Sequence, residues 1–311
     1  MNQVAKITVV IATRNRPTSL ARCLDALLTG DVLPTEVIVV DQSDDDETQA
    51  VVEQHIGSGQ RIVYLHQQRR GLSASRNAGI AKGSCPLVAI TDDDCVPDPG
   101  WIASIERAFS LSCAPDAVTG RVLPLGPDVP GLYAVSSRRN VVRAEFSGKI
   151  EPWLVGTGGN FAVTRQWLDR IGPYDEHLGV GSPGGGGEDM DFFYRLTRAG
   201  GRILYEPESI IYHERQSKAR RIASRSSYGR GIGFFCAIWL RRRDPYALRI
   251  LYRWLFNHSG AMAAAFRSGQ WTSVYEEFLM LEGTIRGLFQ GLWMGGSGLD
   301  SRKQEDKIAP L

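Results

Sequence analysis

Asp92, Asp93 and Asp94 follow one another directly behind the apolar run "PLVAIT". Three like charges at the end of a buried strand add nothing to stability, so their use lies in a positive partner. Asp92 and Asp94 form a D-x-D pair whose side chains can project from one turn. Hard carboxylate oxygens of this kind suit Mn2+ or Mg2+, and either ion bridges to phosphate oxygens. A nucleotide diphosphate brought to the same turn carries negative charge of its own, which the ion offsets. A D-x-D by itself has an ordinary alternative, a solvated acidic turn, so its context decides.

A second acidic cluster, Glu188, Asp189 and Asp191, opens the amphipathic stretch "EDMDFFYRLTRAGG" immediately after four glycines, Gly184 to Gly187. Acids at a helix start complement the macrodipole and cap free N–H groups, which accounts for the acids but not for the glycines. Four consecutive glycines make no regular element; they form a mobile loop or one that a ligand approaches closely. A carboxylate beside such a loop is well placed as a general base, and the spacing leaves either Asp189 or Asp191 able to face a cleft. The strand "RILYEP" then leads to His213, which offers a nitrogen ligand to a metal. Arg76, in "SASRN", has the charge to pair a phosphate or to order the aspartate loop, although most helical arginines are surface residues.

The elements that must position these groups alternate regularly. "ITVVIAT" precedes the helix-like "PTSLARCLDALL", "EVIVVD" precedes "ETQAVVEQH", "RIVYLH" precedes "LSASRNAGIAKG", and "PLVAITD" precedes "WIASIERAFS". Such a series predicts an α/β fold, a mainly parallel sheet covered by helices on both faces, with ligands at the carboxyl ends of the strands. Polar clusters stand at four such ends: "ATRNR", "DQSDDDE", "HQQRRGLSASRN" and "TDDDC". Any one of them reads as a solvated loop, but four along one edge read as a binding site. Neither G-x-x-x-x-G-K-[ST] nor G-x-G-x-x-G follows the first strand, which argues against a kinase-type P-loop and a dinucleotide site.

The ordered set "VVIATRNRP", "VIVVDQSDD", "GLSASRNAGI", "AITDDDCVPDPGW", "GTGGNFAVTRQWLDRIGPYDEHL" and "GEDMDFFYRLTRAG" followed by "YEPESIIYH" resembles the family 2 glycosyltransferases of GT-A fold over about residues 5 to 214. The resemblance implies an inverting, metal-dependent enzyme that uses nucleotide-activated sugars. By the same resemblance, Ala12, Thr13 and Arg14 line the base pocket, and Asp41 contacts the base. Arg76 lies near the diphosphate and Asp92 faces the ribose, with Asp93 in the same nucleotide-binding turn. Asp94 and His213 hold Mn2+ or Mg2+, and Asp189 is the catalytic base, with Asp191 the alternative. Gly158, Gly159 and Asn160, with Glu188, line the donor-sugar and acceptor side. Arg14 stands where many relatives have an aromatic residue, so its guanidinium plane takes the stacking role. UDP is the first choice of nucleotide, with GDP and dTDP the alternatives, and the acceptor is a saccharide, a glycolipid or another hydroxyl.

The 311 residues carry a net charge of +2 that hides an asymmetry: residues 1–214 sum to −7 and residues 215–311 to +9. We therefore expect a catalytic domain over 1–214, its nucleotide-sugar half about 1–100 and its acceptor half about 101–214, and a basic, mostly helical C-terminal region over 215–311. Residues 215–253 hold eleven Lys and Arg against the single acid Asp244. Lys218, Arg221 and Arg225 fall on one helical stripe, which suits either an anionic membrane surface or pairing with the acidic domain. The apolar run "GIGFFCAIWL" is too short to span a membrane, and no nucleic-acid-binding module accompanies the charge. Five cysteines without a C-x-x-C pair and an N-terminus without a long apolar core fit a cytoplasmic protein, in peripheral contact with the inner face of the membrane if the basic region docks there. Two other classes compete with the transferase reading. A sugar nucleotidyltransferase would carry a glycine-rich first loop, which "ATRNRPTSL" is not, and a non-catalytic nucleotide-sugar-binding protein would lack the base or metal residues, which are present.

Overall fold

The structure, a computed structural model, describes residues 3–57 and 59–294. The chain runs β1 (Gln3–Thr13), α1 (Pro17–Leu28), β2 (Val32–Asp41), α2 (Glu47–His55), β3 (Arg61–His66), α3 (Leu72–Lys82), β4 (Leu87–Asp92), β5 (Cys95–Pro97) and α4 (Trp101–Phe109). It continues through β6 (Ala117–Pro124), β7 (Leu132–Tyr133), β8 (Ala144–Phe146), β9 (Phe161–Thr164), α5 (Arg165–Ile171), α6 (Glu188–Arg198), β10 (Ile203–His213) and β11 (Gln216–Ser217). Three long helices follow: α7 (Lys218–Arg241), α8 (Tyr246–Arg267) and α9 (Trp271–Trp293).

Two compact units result, Met1–Pro183 with Glu188–Ile222, and Gly184–Gly187 with Ala223–Leu311. In the first, the sheet order is β3-β2-β1-β4-β9-β6-β10-β5, with β8 also on β10. The first four strands of that order are mutually parallel, while β9 runs antiparallel between β4 and β6. The unbroken apolar run of β1 is explained by cover on both faces. Val9 and Ile11 enter a core with Leu20, Leu24 and Trp101, and Val10 enters another with Phe161, Phe192 and Phe193. Helix α1 starts at Pro17, where a missing N–H costs nothing, and buries Leu20, Cys23, Leu24 and Leu27 on one stripe.

Register then sets the site. Ala12 lies beside Asp92, Thr13 beside Asp41, and Asp41 beside His66, so the ends of four parallel strands are level. On the far side β5 turns back against β10 and pairs Cys95 with His213.

In the second unit the run Gly231–Ile238 of α7 is buried. A Cβ at Gly233 would meet the Thr284 carbonyl oxygen at 2.0 Å, and one at Gly287 the Arg230 carbonyl oxygen at 2.0 Å. Small residues four apart on both helices therefore let α7 and α9 touch backbone to backbone. The loop Gly184–Gly187 also packs on α7: Ser227 Oγ donates to the Gly185 carbonyl at 2.7 Å, and a Cβ at Gly231 would meet Gly186 at 2.5 Å. The close approach made to this loop is thus by a helix of its own unit. No described helix is long and apolar enough to cross a membrane.

Candidate functional site

The acidic turn after β4 is held by cations from three directions. Arg16 donates to Asp93 Oδ1 at 2.9 Å and to Asp94 Oδ2 at 2.8 Å, and Thr13 Oγ1 donates to Asp93 Oδ2 at 2.9 Å. Arg76 donates to Asp92 Oδ1 at 2.8 Å, and Arg220, on the first turn of α7, reaches to 3.8 Å from Asp94 Oδ2. Burial and the neighbouring Asp94 push the Asp93 carboxyl up to about 7 despite Arg16, and burial likewise raises Asp94 although His213 opposes the shift. A compact charge of this kind, costly to bury, is suited to meeting a cation.

Asp94, Cys95 and His213 bring one ligand atom each within 4.8 Å of one another. The donor set fits a hard divalent ion through the aspartate and the histidine. His213 Nδ1 donates to the Glu214 carbonyl oxygen at 2.8 Å, so Nε2 is the ring nitrogen that faces Asp94 Oδ1, at 3.6 Å. Burial and the nearby aspartates hold the Cys95 thiol well above its ordinary pKa, so it stays protonated and is a poor ligand for such an ion.

Arg76 joins this turn to the second acidic cluster. Its guanidinium is buried, donates to Glu188 Oε1 at 3.0 Å and to the Gly158 carbonyl at 3.3 Å, and lies 5.6 Å from the Tyr174 ring centroid. Burial and Asp189 push Glu188 up to about 7, with Arg76 acting in the opposite sense. Asp189 accepts from the Gly158 N–H at 3.0 Å and from the Met190 N–H at 2.8 Å. Its carboxyl sits above the usual carboxylate range because desolvation outweighs Arg76 and those two donors. Unlike Glu188 and Asp191, which are buried, Asp189 keeps part of its surface open. The loop before β9 must be glycine to pass here, since a Cβ at Gly159 would meet Asp92 Oδ2 at 2.7 Å and one at Gly158 would meet Arg76 at 2.9 Å and Asp189 at 3.0 Å.

The structure therefore brings Ala12, Thr13, Arg76, Asp92, Asp93, Asp94, His213, Gly158, Gly159, Glu188 and Asp189 to one sheet edge. Asp41 stands at the same edge but is buried, its oxygens taken by the Ser43 N–H at 2.8 Å and the Tyr64 hydroxyl at 2.8 Å. Arg14 is pinned to Asp44 at 3.0 Å on an exposed loop. Asn160 is buried; its amide donates to the Arg121 and Ser209 carbonyls and accepts from Trp101 Nε1 at 2.9 Å, which makes it a strut of the loop. Asp191 is buried in an ion pair with Arg195 at 2.8 Å. Sequence reasoning missed Arg16, Arg220 and Tyr174. Only Arg16 carried a signal, as a cation just past the end of β1.

The glycosyl transferase family 2 model matches residues 8–170, more than half of the chain. The chain belongs to that family. Among family relatives it is 29% identical over 231 residues to the pre-mycofactocin glycosyltransferase of Mycobacterium tuberculosis, covering 72% of this chain and 46% of that protein. It thus spans about half the length of that relative. It is 26% identical over 258 residues to glycosyltransferase AglE of Haloferax volcanii, covering 80% and 81% of the two chains. The mannosyltransferase PcManGT from Pyrobaculum calidifontis, solved with GDP-Man and Mn2+, superposes with a TM-score of 0.60 at 16% identity, covering 91% of this chain and 87% of that one. That likeness gives the fold, which is the GT-A type expected from the motifs.

Proposed function

We propose that this chain moves a sugar from a nucleoside-diphosphate sugar to an acceptor hydroxyl with inversion at the anomeric carbon. The observation that carries the reading is Arg76, which ties the acid turn at the end of β4 to the acid start of α6 and so sets a phosphate-facing site beside a proton acceptor. Asp189 takes the proton of the acceptor hydroxyl as its oxygen attacks the anomeric carbon, and the bond to the nucleoside diphosphate breaks on the opposite face. The two N–H donors on Asp189 aim its carboxylate, and desolvation raises its pKa, which makes it a stronger base than an exposed aspartate. Asp94 and His213 would hold a divalent cation, Mn2+ or Mg2+, whose chemistry when bound is to offset the charge of the diphosphate. Arg16, freed from Asp94, and Arg220 stand where the same negative charge arrives. The Mn2+ and GDP-Man of the mannosyltransferase neighbour support a metal and a nucleotide sugar as the class of ligand.

UDP is the nucleotide we assign first, with a saccharide or glycolipid as the acceptor. We assign the reaction to the cytoplasm, with the basic C-terminal region in peripheral contact with membrane. A thermal-shift panel of UDP-, GDP- and dTDP-sugars with Mn2+ or with EDTA tests the site. A bound donor at about 100 times its Kd adds about 2.7 kcal/mol of apparent stability. No shift with any of the donors in Mn2+ would overturn the reading.

A further inference from the structure

Helix α9 is built inside out. Its buried residues are Glu276, Met280, Gly283, Thr284, Gly287 and Gly291, so small groups dominate its packed side. Four of its large apolar residues face away: Trp271, Phe278, Ile285 and Phe289 recur at seven, seven and four residues, and all are at least half exposed. Tyr252 and Phe256 stand the same way on α8, each 66% exposed, with their rings 6.0 Å apart. A soluble surface seldom carries so many exposed large apolar side chains on two packed helices.

Charge identifies the partner. Helix α8 contains no Asp or Glu, while Arg249 and Arg267 are exposed along it. The acids of α9 are already paired within the unit, Glu276 with Arg225, Glu277 with His258 and Glu282 with Arg286. A second copy of the chain would set the arginine row of α8 against itself. An anionic bilayer answers both features, because phosphate headgroups take the arginines and the boundary with the acyl chains takes Tyr, Trp and Phe. The stripe first read from the sequence is less suited, since Arg225 is committed to Glu276.

We infer that the outer face of α8 and α9 docks on an anionic lipid bilayer, lying in its interface rather than crossing it. This specifies the membrane contact of the proposed function, and rests on that reading for location alone.

The test is flotation of the full chain with vesicles of phosphatidylcholine alone or mixed with phosphatidylglycerol, beside the double variant Phe256→Ser, Phe289→Ser. Both side chains are exposed, so the fold is retained, and circular dichroism checks it. The wild-type chain is expected to float with the anionic vesicles and to release as salt rises, and the variant to bind at least about tenfold less tightly. Absence of flotation, or equal flotation of wild type and variant, overturns the inference. So does a wild-type dimer in sedimentation that the variant converts to monomer, which would assign the face to a second copy. Thermal shift by donor and Mn2+ is read on the same samples. Vesicle binding without a donor shift sinks the transferase reading alone, and a donor shift without vesicle binding sinks this inference alone.

Discussion

The backbone N–H of Gly158 donates to Asp189 Oδ2 at 3.0 Å, so the loop before β9 aims the carboxylate that we propose as the base. Asp189→Asn keeps the shape and one acceptor oxygen but removes basicity. Donor affinity is expected to hold while transfer falls about 10²- to 10⁴-fold, measured as sugar transfer or slow donor hydrolysis beside a binding titration. Unchanged turnover would remove Asp189 from the chemistry.

Asp191→Asn should behave differently. Asp191 is buried against Arg195, which also donates to the carbonyls of Ile171 and Gly172. Breaking that pair is expected to lower stability by about 2–4 kcal/mol with kcat nearly unchanged in the folded fraction. A large loss of kcat without loss of stability would make Asp191 the base instead.

The pH profile carries its own sign. In the proposed mechanism Asp189 works ionised, and its pKa is raised, so activity is expected to fall as pH drops through a value above the usual carboxylate range. In Asp189→Asn the residual rate should lose that acid limb. A limb in the ordinary carboxylate range in the native enzyme would count against the assignment.

His213→Ala removes the nitrogen that faces Asp94 at 3.6 Å. The stabilisation by nucleotide sugar in Mn2+, relative to EDTA, should shrink in this variant while stability without ligand changes little. Equal stabilisation of the native chain in EDTA and Mn2+ would remove the metal role from both residues.

Arg16→Ala leaves Asp93 and Asp94 without their nearest cation. Because Arg16 is about one-third exposed, the loss of stability is expected at about 1–3 kcal/mol rather than the full value of a buried pair. Added Mn2+ should recover more Tm in the variant than in the native chain. A Tm unchanged by the substitution would show that the acid turn is not under charge strain.

Much of this arrangement was legible beforehand for a definite reason. The spans of α1 and α2 and of β3 were marked by proline, by periodic apolar residues and by β-branched runs, all of them local signals. The insertion of β9 between β4 and β6 was not legible, because "FAVT" is only four residues and its pairing is non-local. Strand β10 outran the reading "RILYEP": it passes Pro207 to His213 by means of a register shift between Glu206 and Ile210, which absorbs the residue that cannot donate to the ladder. Asp41 and Asn160 show the other limit. Residue type and motif position identified them, but whether a polar side chain faces ligand or props a loop depends on partners such as Tyr64 and Trp101, which the spacing does not reveal.

Arg76 sets a rule for recombination among these enzymes. Its guanidinium neutralises Asp92 from the first hundred residues and Glu188 from the second. A chimera joined near residue 100, with a foreign segment after it, inherits the arginine with only one of its two acids. Unless the incoming segment brings a carboxylate to the position of Glu188, the hybrid leaves one arm of a buried guanidinium without its acceptor, so compatible crossovers are selected by that one salt link more than by loop length.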